Sequence, residues 1–164
     1  MNQKQIIEVF NQCFLETERT RLEGEAEEPW YQPRDVDDDV AVLYCRSDYP
    51  ASALHEAAHW CLATRKQREQ DDFGFSYIQP PRTLAQQRRF FELELRVQSL
   101  EALFADAAGV EFRVSADSFD VTHAQLIENF AQSVEAYESQ TRAWLATREG
   151  CRANQFLLAL SEQA

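Results

Sequence analysis

The stretch around His55-Glu56-Ala57-Ala58-His59 constrains this chain more than any other. It sits among Leu54, Cys61 and Leu62, so three ionisable groups share a segment that is otherwise apolar almost all round. Such a segment is a buried helix. On a helix, residues four apart project to one side, roughly 6 Å apart along the axis. Whatever fold forms must therefore bring something to two inward imidazoles. Two buried histidines can simply satisfy neighbouring polar groups. Here, however, two of only three histidines in the chain share a His-Glu-x-x-His spacing with the glutamate in place, which argues for a transition-metal ion held between them. Neutral imidazole suits zinc, iron, copper and nickel alike, so the pair does not choose among them.

A site that works on a substrate usually takes three protein ligands and keeps a position open. The pattern predicts a long helix over 84–108, stopped by Gly109 at the left-handed position that ends many helices. Its apolar stripe is Phe90, Leu93, Val97, Leu100 and Phe104; Glu94 and Glu101 fall inside the stripe, whereas Glu92 points away. A carboxylate on a core-facing stripe is costly unless it is paired, hydrogen-bonded or on a metal. Glu94 and Glu101 are thus both candidate third ligands. His123 is the remaining histidine, and its place in the first turn of a helix capped by Thr122 and Gln125 reads as surface. Glu56 is the candidate catalytic carboxylate, a general base in a hydrolase or an organiser of the ligands in other chemistry.

Around this pair of helices the chain reads as α+β. Ile6, Phe10, Cys13 and Phe14 mark a first packing helix. Residues 16–39 are polar and acidic, a surface loop with one edge strand at Pro29-Trp30-Tyr31-Gln32-Pro33. Residues 40–45 form a buried strand. The His-Glu-x-x-His helix runs over 53–68, with Ser52 as N-cap and cations in its last turns. Alternation of Phe73, Phe75 and Tyr77 predicts a strand over 72–77 closed by Pro80-Pro81, and 110–114 adds another. Leu126, Phe130, Val134 and Tyr137 lie on a further helix, followed by a helical stretch through Trp144 to Gly150 and a last helix at 156–160. The expectation is a single domain over 1–164, with a small sheet packed on several helices and the metal site between the His-Glu-x-x-His helix and the long one.

Composition narrows the function. A net charge of −12 sets the surface against a phosphate backbone, so direct nucleic-acid binding is not expected. No run approaches the roughly 18 apolar residues of a membrane span, and Met1-Asn2-Gln3-Lys4-Gln5 lacks a signal-peptide pattern, so the expected setting is cytoplasmic, with no membrane partner. The four cysteines (Cys13, Cys45, Cys61, Cys151) are scattered without Cys-x-x-Cys spacing and read as reduced thiols. With four glycines and no glycine-rich fingerprint, a tightly bound nicotinamide or flavin is not expected.

Glu8-Val9-Phe10-Asn11-Gln12-Cys13-Phe14, Ala51-Ser52-Ala53-Leu54-His55-Glu56 with His59-Trp60-Cys61, Asp72-Phe73-Gly74-Phe75 with Tyr77, Glu94 with Gln98, and Leu103-Phe104 with Ala107-Ala108-Gly109 appear in an order that resembles the elongation factor P hydroxylase family. The likeness covers roughly the first two-thirds of the chain and is far more specific than the metal motif alone. It implies an α+β fold similar to that of a metal-dependent bacterial ribonuclease. It also implies a non-haem Fe(II) site with His55, His59 and Glu94 as ligands, choosing Glu94 over Glu101. The implied activity is an oxidoreductase's: dioxygen-dependent hydroxylation of the lysine of elongation factor P that already carries a β-lysyl group. That side chain is cationic, and Glu56, Asp71 and Asp72 are candidate contacts for it. Two other readings use the same motif: a zinc-dependent hydrolase or peptidase with Glu56 as base, and a non-enzymatic binding module with a closed structural metal. Ribonuclease activity, suggested by fold alone, runs against the charge.

Overall fold

Local signals build most of the helices, and long-range pairing builds the sheet. The computed structural model describes residues 1–164 except Tyr77 and Phe119, together with the side chain of Val121. Among the described residues there are five α-helices and a three-stranded sheet, the α+β class expected from the sequence. No helix among them is long and apolar enough to cross a membrane.

Helix α1 (Gln3–Glu18) is entered through a capping box in which the Asn2 side chain accepts from the Gln5 backbone N–H and the Gln5 side chain accepts from that of Asn2. Its inward face, Ile6, Val9, Phe10, Cys13 and Phe14, is the predicted stripe. Strand β1 (Thr20–Ala26) follows where a surface loop was expected. Its charged sequence hides a short alternation in which Thr20 and Leu22 face inward. Pairing makes the strand: β1 runs parallel to β3 (Ala41–Arg46), with Thr20 opposite Ala41 and Leu22 opposite Leu43. The Asn11 side chain covers the open edge of β1, accepting from Leu22 N–H at 2.7 Å and donating to Leu22 C=O at 3.1 Å. Strand β2 (Trp30–Gln32) is the expected edge strand, antiparallel to β3, and Trp30 stacks on its cross-strand partner Tyr44.

Helix α2 (Pro50–Leu62) carries the histidines. It is shorter than the predicted 53–68 and begins earlier. Pro50 supplies the preset backbone of the first turn, while Ser52 lies inside the helix and accepts from Arg46 N–H instead of capping. The C-terminus comes at Leu62 because Arg152, far along the chain, donates to the carbonyls of Cys61 at 3.1 Å and Ala63 at 2.9 Å, meeting the orphan acceptors of the last turn. Helix α3 (Leu84–Ala108) matches the predicted span, with a Thr83/Gln86 capping box and Gly109 at φ +63.

Two predicted strands are absent among the described residues. At 71–74 the chain coils through Asp72, Phe73 and Gly74 with φ of 46, 57 and 71°, which buries Phe73 against Tyr31 and leaves Phe75 half exposed; the Tyr77 position lies outside the described residues. Residues 110–114 find no strand to pair with. The chain just beyond it is held by side chains of α3, with Gln98 bridging Ser115 N–H and C=O and Gln87 donating to Ala116 C=O.

Helix α4 (Ala124–Leu145) is one continuous helix through Trp144. The expected Thr122/Gln125 capping box does not form, because Thr122 binds Asp120 in the preceding turn. Helix α5 (Cys151–Gln163) closes the fold. The centre is an aromatic cluster: Phe10 and Phe14 of α1, Trp60 of α2, Phe104 of α3 and Phe156 of α5, all fully buried and meeting edge-on or tilted. This cluster fixes α2 against α3, the two helices that build the site.

Candidate metal centre

On α2 the i, i+4 spacing turns His55 and His59 to the same side, and their Nε2 atoms lie 3.1 Å apart. Across from them α3 presents Glu94, 2% exposed, with Oε2 3.6 Å from His55 Nε2 and Oε1 3.5 Å from His59 Nε2. One ligand atom from each of the three residues lies within 4.8 Å of the others. Donor atoms 3.1–3.6 Å apart are spaced as atoms are when they share an ion through bonds of about 2 Å. Two imidazoles and a carboxylate suit zinc or iron, so the residues fit a bound transition metal.

Three residues at i, i+4 and i+7 on one face of α3 complete this arrangement. Glu101, the other candidate ligand, accepts from His55 Nδ1–H at 2.7 Å. An ionised carboxylate can only accept, so the imidazole proton sits on Nδ1 and Nε2 of the neutral ring is left to face Glu94 and His59. Gln98, fully buried, lies between: its amide donates to Glu94 Oε2 at 3.3 Å and to Ser115 C=O at 2.8 Å, tying the carboxylate to the 110–118 segment. Sequence periodicity placed Glu101 on the stripe without distinguishing its task from that of Glu94. Nothing local marks Ser115.

The two histidines differ electrostatically. Burial disfavours the imidazolium at both. At His55 the carboxylates of Glu101, Glu94 and Glu56 outweigh it and push the proton affinity up to about 10, whereas at His59 burial prevails and holds it down at about 4. Burial also raises the Glu56 carboxyl to about 7, against the opposing pull of His55. His123 is not on the surface as expected: it is buried with Nδ1 3.0 Å from Ser118 Oγ, and it takes no part in the metal group. Glu92 points outward and pairs with Arg89, as expected.

Two clefts, of 550 and 530 Å³, reach the group and share His55, Glu56, Arg46 and Ser115 in their walls. The larger also exposes His59, Glu94, Asp72, Phe73 and Phe75; Asp71 is not among its lining residues. The rim is braced by the buried Arg82, whose guanidinium stacks over Phe90 and reaches Asp117 Oδ2 at 2.7 Å and Asp117 C=O at 2.9 Å. The group is therefore open on one side, and a substrate group can approach.

The elongation factor P hydroxylase family model matches residues 9–163. The chain belongs to the elongation factor P hydroxylase family. The match runs on through α4 and α5, beyond the first two-thirds where the resemblance was legible residue by residue. The chain is also 39% identical over 115 residues to the elongation factor P lysine hydroxylase of Haemophilus influenzae, an alignment covering 70% of this chain and 65% of that protein. In this member of the family, the two histidines, Glu94 and Gln98 all fall within the matched residues.

Proposed function

We propose that this chain is a non-haem Fe(II)-dependent protein hydroxylase that acts, in the cytoplasm, on the β-lysylated lysine of elongation factor P. Membership of the family supports the substrate, and a two-histidine, one-carboxylate group opening on a cleft carries the reading of the chemistry. His55, His59 and Glu94 are the ligands in this reading. When bound there, Fe(II) supplies the activation of dioxygen beside a substrate C–H bond, with two further electrons from a reductant.

The chain's own residues do the rest. Glu101 holds His55 by Nδ1–H, so Nε2 is the nitrogen turned to the site and the one that loses its proton when a metal binds. Gln98 orients Glu94 and couples it to the cleft wall at Ser115. Glu56, facing the cleft beside His55, is the catalytic carboxylate: with its proton affinity raised to about 7, it can hold or release a proton near neutral pH. Phe73 and Phe75 line the approach and limit water around the reacting carbon.

The test is mass spectrometry of β-lysylated elongation factor P after aerobic incubation with the protein, Fe(II) and a reductant. The expected result is a gain of one oxygen atom, lost with His59→Ala. No gain from iron-loaded protein overturns the reading. Peptide-bond cleavage by zinc-loaded protein that Glu56→Gln abolishes would put a zinc hydrolase in its place.

A further inference from the structure

Glu56 stands apart from the other carboxylates of the site. It is 9% exposed and lines both clefts. Glu101 is engaged by His55 and Glu94 by Gln98, whereas Glu56 makes no hydrogen bond or ion pair among the described residues and is drawn only by the charge of its neighbour His55. A carboxylate so far removed from water is costly without a partner. The face left to it is the cleft.

Asp72 lines the larger of those clefts with it. Asp72 Oδ1 accepts from Tyr31 N–H at 2.8 Å, which fixes the side chain against β2, while Oδ2 makes no hydrogen bond among the described residues. The other acid on that side, Asp117, is already taken by Arg82 at 2.7 Å. Arg46, also in the cleft wall, forms an ion pair with neither Glu56 nor Asp72. Two carboxylates with free acceptor capacity thus face a cleft that the His55/His59/Glu94 group also lines.

We propose that Glu56 and Asp72 form a subsite for the ammonium group of a long primary-amine side chain, holding it across the cleft so that a carbon further along the chain lies at the metal group. This deepens the proposed function and rests on it for the identity of the amine. The cation would supply the hydrogen-bonding partner that the fold withholds from Glu56. The site would then refuse a neutral chain of the same length, because the two acids would be left unpaired.

The experiment titrates zinc-loaded protein calorimetrically with Nα-acetyl-Nε-(β-lysyl)-lysine amide and with the same compound acetylated at its β-lysyl amines as well. Wild type is expected to prefer the charged probe by about tenfold or more. Asp72→Asn retains an acceptor for Tyr31 N–H, and Glu56→Gln is isosteric. Each is expected to weaken the charged probe by about tenfold while leaving the acetylated one within about twofold. Equal affinities in wild type, or a preference that survives unchanged in both variants, overturns the subsite. Hydroxylation of the factor is scored separately. A charge preference without hydroxylation supports the subsite and overturns the reaction; hydroxylation with equal binding of the probes does the reverse.

Discussion

At the scale of residues, the division of labour between Glu94 and Glu101 follows from which imidazole nitrogen each one meets. Glu94 lies against both Nε2 atoms and Glu101 against His55 Nδ1. Glu101→Gln keeps an acceptor but removes the charge, so metal affinity should fall about 10–100-fold with the helical content unchanged, measured by competition for Zn(II) against a chromophoric chelator. The same titration tests the electrostatics. In wild type the carboxylates overcome burial and raise His55 to about 10, so at neutral pH a metal must displace a proton from it. Apparent affinity should therefore rise between about pH 6 and pH 8, by up to tenfold per unit for the one proton released. In Glu101→Gln the imidazole binds its proton less tightly and the slope should flatten. A pH-independent affinity in wild type would show that His55 does not carry that proton.

Among the elements, α3 was legible in its span: the left-handed Gly109 and an apolar stripe broken only by Glu94 and Glu101 are local signals, and the Thr83 capping box seen in the structure is another. The end of α2 was not, since Arg152 of α5 supplies its C-terminal partners. The loop before α5 is equally a matter of packing. Gly150 has an ordinary φ of −82°, but a Cβ there would lie 2.2 Å from the carbonyl oxygen of Trp144. Gly150→Ala should therefore cost about 1–3 kcal/mol in urea denaturation, through displacement of the α4–α5 connection. Gly109→Ala meets no atom within 4 Å and pays only for its left-handed backbone, so it should cost less, about 1 kcal/mol. If the two variants proved equally stable, the close approach at Gly150 would not be rigid.

For the whole molecule, the aromatic cluster joins α1, α2, α3 and α5 and so links distant packing to the metal group. Phe156, on α5, packs on Phe10, Phe14 and Phe104, none of which belongs to the site. Phe156→Ala should destabilise the protein by about 3–5 kcal/mol. If the folded site binds metal as proposed and the unfolded chain holds it far less well, part of this loss is recovered by added Zn(II), seen as a rise in the thermal midpoint. A midpoint insensitive to metal would separate the site from the fold.

The sequence by itself determined that two histidines share one face of a buried helix, that a second helix carries carboxylates on its core side, and that residues 40–45 form a short buried strand. All three are periodicities within one segment, and local geometry suffices to read them. Only the tertiary structure decided that Glu94 meets both imidazoles while Glu101 anchors one of them. It also decided that acidic β1 is a strand, that residues 72–74 coil left-handed instead of extending, and that Ser115 and Ala116 hang from glutamine side chains. Each of these depends on partners far along the chain, and the stabilisation comes from pairing and burial that no local pattern records.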